Sequence, residues 1–100
     1  MTLGNAIKLI RTARGLTQKD LANRLDITAN YLSLIESDKR DPSLPFLNRL
    51  AAKLGVPIAM LFMFQGAHHP EVQSSDIDRL RDLLLKLDRI VVENTQSQEG

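Results

Sequence analysis

Cysteine is absent from the 100-residue chain, which removes disulfides, thiolate chemistry and Cys-ligated zinc at once. No apolar run reaches membrane-spanning length and the N-terminus lacks a signal-peptide layout, so the sequence predicts a soluble, cytoplasmic protein with no membrane partner. A glycine-rich phosphate loop is missing too. The two histidines, His68 and His69, are adjacent and have no third or fourth ligand at helical spacing, so no metal is expected. No Ser or Asp belongs to a nucleophile–base–orienter pattern. The expectation is a protein that is not an enzyme and uses no cofactor.

What is present is charge asymmetry. The net charge is only +1, but residues 1–66 carry nine Lys/Arg against five Asp/Glu, whereas residues 67–100 carry four against seven. The front of the chain is therefore +4 and the back −3. A modestly basic front half suits a polyanion and an acidic back half does not.

Apolar residues recur at helical spacing almost throughout, with no alternating strand pattern, so the fold class is all-α. Leu3, Ile7 and Ile10 mark a first helix closed near Gly15. Thr17 is a candidate N-cap with Asp20 completing a short capping box, and Leu21, Ala22 and Leu25 form the buried face behind it. Thr28 caps a third helix with Leu32 and Ile35 inward, and Ser43 a fourth, after the loop SDKRDPS. Gly55 stops that helix, and Pro57 opens a short apolar fifth. These elements make residues 1–66 one domain. QGAHHPEVQSS has the composition of a linker, bounded at 67–75, Ser75 caps a last helix over 76–93, and 94–100 is expected to be disordered.

The second and third helices lie almost end to end. Two helices joined by so short a turn cross steeply. Ala22 permits the close approach and Ile27 plugs the angle. With Leu32 and Ile35 inward, Ala29, Asn30, Ser33, Leu34 and Ser37 form an outer face that is small, neutral and nearly free of long charged side chains. Such a face fits a DNA major groove.

At these residues the chain resembles the helix-turn-helix domain of Cro/cI and Xre-type bacterial and phage regulators. Over residues 5 to 64 the motifs LTQ, the LA pair, the Ile after the turn, YLSLIE, DPS and L-x-x-LAAKLGV fall in order, and the loop and fourth helix are similar to repressors of the SinR kind. Asp26 stands where the family usually has Gly; Asp tolerates a left-handed backbone better than most residues, so the turn is expected to survive. The resemblance implies a five-helix lambda-repressor-like domain that places its third helix in the major groove of a double-stranded operator, as a dimer on a two-fold site. It further implies that Ala29, Asn30, Ser33 and Leu34 meet base edges. Asn30 would be the hydrogen-bonding reader and Leu34, where many relatives have a polar residue, an apolar contact to a thymine methyl. Gln18, Thr28, Tyr31, Lys39, Arg40 and Ser43 would touch phosphate, with Lys19 and Arg14 as weaker candidates. Tyr31 has a second role open to it, packing its ring on the fourth helix. Arg11 and Glu36 would form a structural ion pair that turns Glu36 away from DNA.

In the last helix, Ile77, Leu80, Leu84, Leu87 and Val91 are spaced 3, 4, 3, 4, and Leu83 and Ile90 widen the stripe. So broad an apolar face needs a cover. The linker favours a second copy, giving a homodimeric repressor on a palindromic operator. The alternatives are a helix folded back on its own domain, and an interaction module or antitoxin whose last helix binds another protein. A regulator acting on the chain would then be an antirepressor, a toxin or a protease that cuts the linker.

Overall fold

A computed structural model describes the backbone of residues 1–65 and 74–99, and the side chains of 1–65 and 77–90. Among the described residues there are six helices and no strand: α1 (Leu3–Ala13), α2 (Gln18–Leu25), α3 (Ala29–Glu36), α4 (Leu44–Leu54), α5 (Ile58–Gln65) and α6 (Ser74–Glu99). His68, His69 and the linker residues up to 73 lie outside the described residues, as do the side chains of Ser75 and Val91.

Local chemistry sets where the first helices begin and end. Hydroxyls of Thr2, Thr17, Thr28 and Ser43 each accept a hydrogen bond from the backbone N–H three residues on. At Thr17 the bond is reciprocated, because the Asp20 carboxylate accepts from the Thr17 N–H at 3.0 Å. That bond, with the one from the Thr17 hydroxyl, holds the Asp20 carboxyl below its ordinary pKa. Gly15 and Gly55 carry φ of 74° and 68° beyond α1 and α4, the left-handed conformation that glycine enters freely. Asp26 closes α2 in the same region, with φ 56° and ψ 40°, so the α2–α3 turn keeps its shape without glycine.

The core is one cluster. Ile7 and Ile10 of α1, Leu21 and Leu25 of α2, Leu32 and Ile35 of α3, Leu50 and Leu54 of α4, and Leu61 of α5 are all buried within it. Ala22 is buried in the same cluster, and Ile27 packs against it from the turn. No single described helix is long and apolar enough to cross a membrane; α4 and α5 together would be, but they meet at a bend of 104°.

The last helix departs from its sequence reading in two ways. It extends over Ser74–Glu99, so the helix begins before Ser75, the expected cap, and continues past residue 93, through most of the expected tail. It also folds back on its own domain. Leu80 and Leu84, assigned from the sequence to a second copy, are 5% and 1% exposed within the chain's own core, and Ile77 packs beside them. The apolar stripe of α6 is what an amphipathic helix needs to pack on its own domain, and it does so against α1. Arg14, the residue that caps the C-terminal end of α1, then pairs with Asp88 at 2.8 Å. Leu87 is half-buried, while Leu83 and Ile90 remain more than half exposed.

Candidate nucleic-acid interface

Glu36 ends α3 but points inward. Its carboxylate accepts from Arg11 Nε at 2.7 Å and Nη2 at 3.0 Å, and from Gln18 Nε2 at 3.0 Å. The Arg11 and Glu36 side chains are 9% and 3% exposed. Arg11 Nη1 also donates to the Leu16 carbonyl at 2.7 Å. One carboxylate thus joins α1, the start of α2 and the end of α3. A planar guanidinium bound in this forked way fixes orientation as well as distance. The burial leaves no side-chain polar atom without a partner among the described residues.

A second tie holds the same end of α3. Gly4 of α1 lies so close that a Cβ there would come within 2.5 Å of the Glu36 carbonyl oxygen and 2.6 Å of that of Ile35. Asp38, with φ 62°, accepts from the Gly4 N–H at 3.0 Å. Its carboxylate sits at the N-terminal end of α1, where the helix dipole favours negative charge. Sequence reasoning missed both residues. The only local signal was a glycine placed inside a helical pattern, which demands a packing reason. Arg49 of α4, also missed, donates to the Leu25 carbonyl at 2.8 Å and secures the end of α2.

With α3 so fastened, its other side faces out. Ala29 and Asn30 are exposed, and Ser33 and Leu34 are half-buried. Ser37, also on this side, turns its hydroxyl back to the Ser33 and Leu34 carbonyls at 2.9 and 3.2 Å, so its proton is already used. Around this face stand the groups suited to phosphate. Thr28 and Ser43 accept through their hydroxyl oxygens from Tyr31 N and Phe46 N. A hydroxyl that accepts in a cap still has its own proton to donate. Gln18 spends one N–H on Glu36, which leaves a second donor and its carbonyl. Lys19, Lys39 and Arg40 are exposed. Tyr31 is half-buried, edge-on to Phe46 of α4 with ring centroids 6.2 Å apart, so its ring is a packing element and its hydroxyl is the part available to a ligand.

Arg14 is placed differently. It donates to the Leu54 and Gly55 carbonyls at 2.8 and 2.9 Å and to both oxygens of Asp88. It closes the end of α4 and holds α6, and its donors are committed there. No group of three or more His, Cys, Asp or Glu that could hold a metal occurs among the described residues.

A family model described as helix-turn-helix matches residues 7–61. The chain belongs to the Xre-type helix-turn-helix family. The five-helix, lambda-repressor-like fold of α1–α5 is that family's domain, and α6 falls outside the match. An immunity repressor protein of Bacillus phage phi105 is 41% identical over 61 residues, which is 61% of this chain and 42% of the repressor. An HTH-type transcriptional regulator of Methanocaldococcus jannaschii is 36% identical over 61 residues, 92% of its length. The control protein C.MunI from a Mycoplasma species is 37% identical over 60 residues, 81% of its length. The chain thus spans less than half of the phage repressor and most of the two smaller proteins.

Proposed function

We propose that this protein is a sequence-specific DNA-binding transcriptional regulator, a homodimeric repressor that inserts α3 in the major groove of a palindromic operator. The observation that carries the reading is the outer face of α3. Asn30, Ala29, Ser33 and Leu34 stand on a helix fixed from behind by Arg11, Gln18 and Glu36. Thr28, Ser43, Lys39 and Arg40 surround them with donors and positive charge. Asn30 can offer an amide to adenine, and Leu34 can meet a thymine methyl. Gln18, Lys19 and Tyr31 join the hydroxyls and cations in setting register on phosphate. The names of the relatives, an immunity repressor and transcriptional regulators, support regulation as the role.

For the dimer, the surface has to be revised. Leu80 and Leu84 serve the chain's own core, so the dimer face on α6 is the flank that carries Leu83 and Ile90, each more than half exposed. Phe62 and Met63 add exposed apolar surface on α5. A second copy is the occupant that matches a two-fold operator. An unlike protein partner on this face is the competing outcome.

The experiment is selection of duplexes from random DNA at two salt concentrations. An inverted repeat with half-sites about 34 Å apart, one turn of DNA, is the expected result. Salt-sensitive retention without a motif would mean phosphate attraction alone and would end the operator reading. Sedimentation of the protein with and without DNA separates a homodimer from a monomer awaiting another partner.

A further inference from the structure

The ends of α1, α2 and α4 opposite the recognition face enclose an open cavity of about 290 Å³, lined by Arg14, Leu16, Arg24, Ala52, Lys53, Leu54, Gly55 and Asp88. Three cations and one carboxylate line it. The carboxylate, Asp88 of α6, is half exposed and is held by both Nη atoms of Arg14. Arg24 acts at a distance on Asp20, and Lys53 makes no ion pair among the described residues. Both are exposed. The cavity therefore has an excess of positive charge, and its one anion comes from a helix that packs onto the domain from outside it.

We propose that Arg14, Arg24 and Lys53 form a binding site for a small oxyanion, a free phosphate or a phosphate- or carboxylate-bearing metabolite, for which the Asp88 carboxylate is the built-in competitor. Arg14 presents a fork that suits a carboxylate or phosphate equally. A dianion gains two more cations than Asp88 uses, and the volume suits a small ligand. Operator phosphate is not the anion. Ser43, at the proposed DNA face, begins α4, and Lys53 lies in its last turn, about 15 Å along the helix axis. Gln18 and Arg24 are separated by about 9 Å along α2. Because Asp88 is the exposed anchor of α6, occupancy of the site loosens that end of α6 from α1. The site does not depend on the DNA reading and stands or falls without it.

The bland role for Arg24 and Lys53 is to complement the helix C-termini in whose last turns they lie, and the test separates the two. The full chain is titrated with inorganic phosphate at constant ionic strength, with chloride as the reference, following the Arg14 Nε–H and Lys53 side-chain signals by NMR. Succinate in a parallel titration distinguishes a phosphate site from a general oxyanion site. Saturable phosphate-dependent shifts are expected. Asp88→Asn should bind about two- to fivefold more tightly, since a half-exposed competing pair is removed. Lys53→Gln should bind about tenfold more weakly, the loss of one charge-assisted bond. A helix-end role predicts the opposite pattern: lower thermal stability in Lys53→Gln and no saturable shift in any form. That pattern, or equal affinity in the wild type, Asp88→Asn and Lys53→Gln, overturns the proposal.

Discussion

Arg11 in α1 and Arg14 at its C-terminal cap make the two long-range ion pairs among the described residues, and their surroundings differ. Arg11 meets Glu36 with both side chains almost fully buried, and Gln18 and the Leu16 carbonyl complete the set. Arg14 meets Asp88 with the arginine 15% exposed and the aspartate 48% exposed. Bond lengths are nearly the same, 2.7 and 2.8 Å. Burial decides what each pair does. Breaking the first leaves a charge stranded in the interior, whereas water takes up the partners of the second. The Arg11–Glu36 tie is thus a buried fastening and the Arg14–Asp88 tie a water-accessible one, although the two cations are only three residues apart.

The largest effect is expected at the buried junction. Glu36→Ala leaves Arg11 without its counter-ion and should cost about 3–5 kcal/mol, measured by urea unfolding of the whole chain. A loss below about 1 kcal/mol, the range of exposed pairs, would erase the contrast. Leu84→Ala empties a fully buried position on α6 and should cost about 2–5 kcal/mol. If α6 docks as a separate layer, amide exchange will quicken in α6 while α2 and α3 stay protected. Uniform loss of protection would merge the two junctions into one cooperative unit.

Gly4→Ala drives a methyl into the Ile35 and Glu36 carbonyls and should cost about 1–3 kcal/mol as overpacking. Unchanged stability would show that the end of α3 gives way more easily than its ties suggest. The smallest effect belongs to Asp88→Asn, below about 1 kcal/mol because solvent screens the half-exposed carboxylate. The same residue gives the pH dependence. The hydrogen bonds from Arg14 lower the Asp88 pKa below its ordinary value. Its contribution is therefore complete above the unfolded-chain value of about 3.9 and is lost as pH falls through the lower, folded value. Amide exchange in the second half of α6 should quicken in that acid window in the wild type and not in Asp88→Asn; identical profiles would remove Asp88 as the anchor.

Local features were legible in the sequence. Thr17 with Asp20, Thr28, Ser43 and Gly55 mark boundaries through bonds that span three or four residues. Asp26 could be expected in a left-handed turn from its own side chain. The Arg11–Glu36 contact came from a resemblance: helical spacing puts Arg11 beside Ile7 and Ile10 and Glu36 beside Leu32 and Ile35, but does not say that two charges pair there. What the sequence reading did not reach joins distant segments. Arg14 and Asp88 are 74 residues apart, and Gly4 and Asp38 are 34 apart. The apolar stripe of α6 announced only that it needed a cover. A heptad pattern is the same whether the cover is α1 or another chain, so Leu80 and Leu84 were assigned outward when they belong inside.

Glu36 has a further consequence. The residues that hold α3 in place are Leu32, Ile35 and Glu36, and those that look outward are Ala29, Asn30, Ser33 and Leu34. The two sets do not overlap. The exposed outer positions, Ala29 and Asn30, can therefore be rewritten with little penalty to folding, and the half-buried Ser33 and Leu34 with more, while the pitch and depth of the helix are inherited unchanged. On the proposed DNA reading, a mount of this kind would turn four outward letters into an exchangeable vocabulary carried on a fixed grammar.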